Sequence, residues 1–131
     1  IWGDVVDRRV PKTPGSLHSF SWIPGLQAAA ICMDDSFKLC DLRTGRLRST
    51  AIAVSNEASV SCATGDMHGR WLALKLSPGP IQIWNADGTR HLFDLKESSD
   101  GKARNSRLQF LRETPLLVEI CSGVDHSLRC W

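Results

Sequence analysis

The chain has 131 residues, 42% hydrophobic and 23% charged, with a formal net charge of +2. This is the make-up of an ordinary globular domain, for which disorder is not the default, and the small excess of positive charge lacks the concentrated basic face that nucleic-acid or membrane-surface binding needs. No apolar run approaches the roughly 18 residues that cross a bilayer, and the opening IWGDVVDRR lacks the charged, apolar and small-residue order of a signal peptide, so no membrane insertion is expected.

Taken in chain order, Trp2 and a short basic cluster (Arg8, Arg9, Lys12) come first. The runs LHSFSWIP and LQAAAICM follow, then Asp34 and Asp35, then FKLC with Asp41, the turn LRTGR, and RLRSTAIAV. A second series reads ASVSCAT, the turn GDMHG, RWLALKLS, PIQIW, the turn NADGTR and RHLFDL. After the polar segment KESSDGKARNS come SRLQFLR, the turn ETP, LLVEICSG, Asp125 and His126, and finally HSLRCW. Each run is too short for an amphipathic helix and is bounded by Pro, Gly, Asp or Ser. Such runs predict strands, and the continuously apolar ones predict strands buried on both faces.

One element recurs. Trp2, Cys40, Trp84 and Trp131 are spaced 38, 44 and 47 residues apart. Before three of these slots stands an apolar, polar, apolar triplet: Phe37-Lys38-Leu39, Ile81-Gln82-Ile83 and Leu128-Arg129-Cys130, the period-2 mark of a strand with one buried face. Asp41 or Asn85 follows the slot and leads into a Gly-containing turn, while Asp34 and Asp125 stand six residues ahead of it, where the middle copy has Pro78. A repeat of forty-odd residues with four short strands and a strand ending in Trp-Asp resembles the WD40 family across essentially the whole chain. A generic antiparallel sandwich explains the strands but not a recurring Trp.

The resemblance implies an all-β fold: blades of four-stranded antiparallel sheets in a β-propeller, about three blades over residues 1–131, an incomplete ring whose further blades come from the rest of the chain. The start on Ile1 and the stop on Trp131 are read in the same sense, as a piece of a longer protein. The resemblance also implies that each slot residue is buried between blades, Cys40 standing where a Trp usually stands. Asp34 and Asp125 become the turn acids of the family's buried network. Its Gly-His partner has no equivalent in the second or third copy and falls near Gly15 and Ser16 in the first, so these acids are expected to be partly solvated; a buried acid lacking its donor costs about 1–3 kcal/mol.

Catalytic groupings do not emerge. His18, His68, His91 and His126 form no metal-ligand pair, so no metal and no cofactor is expected. Cys40 beside Asp41 and Arg43 suits a reactive thiol on paper, but a slot between blades favours a small core residue, and Cys32, Cys62, Cys121 and Cys130 are expected to be core thiols as well. An odd number of cysteines without a CxxC pair predicts a reduced, intracellular protein, cytoplasmic or nuclear. Ser122, Asp125 and His126 sit too close in one turn for a catalytic relay.

What remains is binding. By family analogy the turns holding Asp34, Asp35, Asp125 and His126 share a face with the polar segment containing Lys102 and Arg104, and loops on a rigid scaffold are where contact residues gather. Cys40-Asp41-Leu42-Arg43 partly matches the WDxR box by which some WD40 proteins dock on a cullin-RING ligase adaptor. The expected function is a non-catalytic scaffold for other proteins; the alternatives are a ubiquitin-ligase substrate receptor working through Arg43, and a subunit of an RNA-modifying enzyme working through Lys102, Arg104 and Arg107, although nucleic acid is the less expected partner because no surface aromatics interleave with the basic clusters.

Overall fold

A computed structural model of the chain describes residues 17–34, 36–54, 58–95, 105–122 and 127–131. Among the described residues, eleven strands and one short 3-10 turn account for the regular structure. The first sheet holds β1 (Leu17–Ile23), β2 (Ala28–Met33), β3 (Phe37–Asp41) and β4 (Leu47–Arg48). The second holds β5 (Ser59–Gly65), β6 (Trp71–Ser77), β7 (Ile81–Asn85) and β8 (His91–Leu95), and the third β9 (Asn105–Phe110), β10 (Leu117–Ser122) and β11 (Ser127–Cys130). Each sheet is an antiparallel meander with neighbours in sequence order. The apolar runs read from LHSFSWIP to HSLRCW fall on these strands, except that RLRSTAIAV does so only at its start.

Across the sheets, β1 touches β5 and β5 touches β9, whereas no fourth strand meets another sheet closely. The first strands are therefore innermost and the sheets fan outward, which is the layout of propeller blades rather than of a sandwich. The three sheets form an arc and not a closed ring.

The period-2 alternation decides which side chain faces which neighbour. On β7, Ile81 and Ile83 pack toward the third sheet with Ala73, Leu108 and Leu117, while the adjacent Trp84 turns the other way into a core with Ile23, Phe37, Leu39 and Leu72. Trp131 packs likewise against the core between the second and third sheets. The slot residue thus faces the preceding blade. Cys40, on the same face of the first sheet, is 2% exposed and packs with Ala29, Ile31 and Met33, so it is a core residue in a Trp position; Trp2 lies outside the described residues. β2 is buried along its whole length, as its unbroken apolar sequence requires.

Three features differ from expectation. The fourth strand read in RLRSTAIAV is only Leu47–Arg48, because the chain then leaves β3: Ala51 N–H donates to the Gly88 carbonyl at 2.8 Å, and Ile52 and Val54 pack onto the core between the first two sheets. Cys62 is only partly buried, and Cys130 is exposed rather than a core thiol, since alternation on β11 puts it beside Leu128 on the side away from the second sheet, while Trp131 faces that sheet. Finally, β6 and β10 place a buried ion pair between blades two and three: Lys75 Nζ and Glu119 Oε1 are 3.7 Å apart with side chains 6% and 2% exposed, and Arg129 Nη1 approaches Glu119 Oε2 at 3.8 Å. Each charge stands inside an otherwise apolar strand, WLALKLS and LVEICS, and nothing in the sequence pairs one with the other. Lys75 also donates to the Gly79 carbonyl at 3.2 Å.

Candidate interaction surface

The meander puts successive turns at opposite ends of each blade. At one end lies the β2–β3 turn, closed by the Met33 N–H to the Ser36 carbonyl at 2.9 Å, with Asp34 exposed upon it. At the other end lies the 42–46 turn with exposed Arg43. The length of β3 separates them, roughly 16 Å for five residues, so Asp34 and Arg43 do not share a surface. Asp35, Lys102, Arg104, Asp125 and His126 lie outside the described residues.

The Arg43 end is the better defined. Asp41, the residue after the slot, accepts from the N–H groups of Arg43 and Thr44 at 2.9 and 3.0 Å, and Asn85 does the same for Thr89 and Arg90 at 2.9 Å each. Each side chain closes its own turn, the usual work of Asx residues, and Gly45 and Gly88 supply the positive φ of 69° and 65° that the turns need. The Asp41 carboxylate also accepts from Arg48 Nη2 at 2.9 Å, and the same guanidinium nitrogen donates to the Leu26 carbonyl. The Arg48 bond, and then the Thr44 N–H, hold the Asp41 carboxyl down to about 2.

In blade two a further acid, Asp66, closes the turn between β5 and β6. It is buried, accepts from the backbone N–H groups of Arg70 and Trp71, and pairs with Arg70 Nε at 3.0 Å. Burial raises its carboxyl, but the Trp71 N–H and the Arg70 contacts outweigh that and leave it below the ordinary carboxylate range. Arg70 in turn lies 4.5 Å over the Trp71 ring, which tilts against Phe110 of the third blade. Asp66 was not singled out in the sequence; the Gly-Asp-Met-His-Gly turn was the signal that could have found it.

These turns are locked to one another. A Cβ on Gly25 would stand 2.3 Å from Gly69 N and 2.5 Å from the Asp66 carbonyl, so blades one and two meet backbone to backbone. Leu42 N–H donates to the Gln27 carbonyl at 3.1 Å and Ala86 N–H to the Arg70 carbonyl at 3.1 Å. Beyond them a shallow cleft opens between the 66–70 turn and residues 111–115 of blade three.

Burial pushes the Cys32 thiol up to about 11 and raises Cys62, so neither is a thiolate at neutral pH. Among the described residues no group of three His, Cys, Asp or Glu side chains could hold a metal ion, and no helix is long and apolar enough to cross a membrane.

Solved structures with a similar fold include these three. The WD40 repeats of RRP9 superpose with a TM-score of 0.69 at 23% identity, over 85% of this chain and 34% of that one. U3-55K gives a TM-score of 0.69 at 22% identity over 85% of this chain and 35% of its own, and a chain of the mitotic checkpoint complex gives 0.64 at 15% over 86% and 34%. The chain spans about a third of the length of each of these structures. No protein-family model and no curated protein matches the sequence. With first strands innermost, a slot residue facing the preceding blade and this shared architecture, the fold of the chain is that of consecutive WD40 β-propeller blades.

Proposed function

We propose that the chain is part of a non-catalytic WD40 propeller that presents its turns to protein partners in a larger complex, its remaining blades supplied by the rest of the same protein. The observation that carries this reading is a set of turns closed by Asp41, Asn85 and Asp66 and fused across blades into a rigid platform. Rigid turns lose little entropy on binding. The free state of all five cysteines fits a reducing intracellular compartment. The test is quantitative co-purification from cells of the full-length protein and its turn variants. Partners lost on replacing Asp34, Asp35, Asp125 and His126 while Arg43→Ala leaves them bound support the scaffold reading with its contact face at the Asp34 end; a protein that recovers no stoichiometric partner overturns it.

A second reading, docking on a cullin-RING ligase adaptor, is favoured by one observation: Arg43 is exposed on a turn that Asp41 fixes through the Arg43 N–H itself. Arg43→Ala then abolishes recovery of the adaptor, and unchanged recovery removes the reading.

A further inference from the structure

The early end of the fourth strand in blade one leaves an accessible stretch behind it. β4 pairs with β3 only at Leu39↔Arg48 and Cys40↔Leu47. The chain then runs without regular structure through residues 49–54, with Ser49 exposed. First strands are innermost and fourth strands outermost, so this stretch lies on the rim of the propeller, which further blades leave open. It reads Arg46-Leu47-Arg48-Ser49-Thr50, and Ser49 is the one Ser or Thr of the chain with an Arg three residues before it. Arg46 is exposed, and its carbonyl accepts from the Asp41 N–H at 2.8 Å.

Neighbouring hydroxyls are engaged where Ser49 is not buried. Thr50 is half-buried with its methyl on the 86–88 turn, since a Cβ on Gly88 would stand 3.2 Å from Thr50 Cγ2. Thr44 Oγ1 accepts from the Arg46 N–H at 3.4 Å. Ser49 lines an open cleft along the outer edge of β3 whose other charged residues are Lys38 and Arg48. Asp41 is held by Arg48, and Asp34 and Asp87 are exposed on turns outside the lining. Leu47 packs with Cys40 on one face of the sheet. Period-2 alternation therefore puts Ser49 on that same face, opposite Lys38 in the register that Leu39↔Arg48 begins.

We propose that Ser49 is a phosphorylation site for a Ser/Thr kinase that reads the Arg46 guanidinium three residues ahead of its acceptor, and that the product phosphate is seated against Lys38. Charge patterns of this kind decide which substrates a kinase accepts. Drawing the segment out is inexpensive, because β4 is held by two residue pairs and Ala51 by one bond to the Gly88 carbonyl. The Ser49 oxygen attacks the γ-phosphorus of ATP, the bond from that phosphorus to the bridging oxygen breaks, ADP leaves, and the hydroxyl proton passes to the kinase's carboxylate base. The added charge of about −1.5 to −2 offsets Arg46 and Arg48 and reverses the local field that a partner at the rim meets. The proposal does not depend on the scaffold reading.

The test incubates the full-length protein with MgATP and the catalytic subunit of cAMP-dependent protein kinase, and maps phosphate by peptide mass spectrometry. Among the Ser and Thr of this chain, Ser49 takes phosphate first. Arg46→Ala slows that step about tenfold or more, the loss expected of one charged contact, without moving the unfolding midpoint, and Arg46→Lys recovers part of it. The 31P signal that Ser49→Ala removes titrates below the roughly 6 of an isolated phosphoserine, and Lys38→Gln returns it there without slowing phosphorylation. Phosphate arriving first at another residue of this chain, a rate indifferent to Arg46→Ala, or modification of heat-unfolded protein alone overturns the site. A 31P midpoint indifferent to Lys38→Gln overturns the seat.

Discussion

Breaking the Lys75–Glu119 pair separates the two contributions of a buried ion pair. Glu119 is 2% exposed, its Oε1 makes no hydrogen bond, and its attraction to Lys75 at 3.7 Å is Coulombic. Glu119→Leu leaves an ammonium 6% exposed between two apolar blade faces with its carboxylate removed, and removing one member of such a pair costs about 3–5 kcal/mol. Lys75→Met costs less, because Arg129 remains 3.8 Å from the other carboxylate oxygen on the solvent side. The double variant takes both charges out of a site already walled by Ala73, Ile81 and Leu117, and replacing a buried pair by apolar groups is roughly neutral. At roughly 3–4 °C per kcal/mol for a chain of this size, Glu119→Leu lowers the calorimetric midpoint by about 10–20 °C and the double variant restores most of it. A Glu119→Leu protein as stable as the parent, or a double variant no better than the worse single one, refutes the assignment of this pair to the closed interface between blades two and three.

Three further outcomes follow from the turn end and the cysteines. Gly25→Ala drives a methyl against the backbone of Gly69 and Asp66, and such overpacking costs about 1–3 kcal/mol or more; urea unfolding reads it, and an unchanged midpoint denies the close approach of blades one and two. Asp41 titrates at about 2 folded against 3.8 in an unperturbed chain; its lowered pKa means its support is complete above pH about 4 and lost as pH falls through about 2. The amide shifts of Arg43 and Thr44 follow that titration, and a midpoint near 4 contradicts the Arg48 bond. Iodoacetamide at pH 8 labels Cys130 first and Cys32 last, because a buried thiol near 11 is about one part in a thousand thiolate; mass spectrometry gives the order, and fast labelling of Cys32 refutes its burial.

The sequence by itself determined the elements and their repetition. Strand lengths follow from apolar runs cut by Gly, Pro and Asp, and the Trp spacing fixes which strand of each blade carries the slot, so that Cys40 is legible as a core residue from Trp84 and Trp131 alone. Alternation along β7 even predicts that Ile83 and Trp84 serve different interfaces. The sequence could not place the partners across blades, because those contacts join residues tens of positions apart. Only the tertiary structure set Lys75 against Glu119, brought Gly25 onto Gly69, and cut the fourth strand of blade one short after Arg48. Only it decided that Asp34 and Arg43 stand at opposite ends of β3, and that Asp41 and Asp66 point into their turns while the arginines beside them point out. The direction of a side chain, unlike its periodicity, is a property of what the neighbouring blade leaves room for.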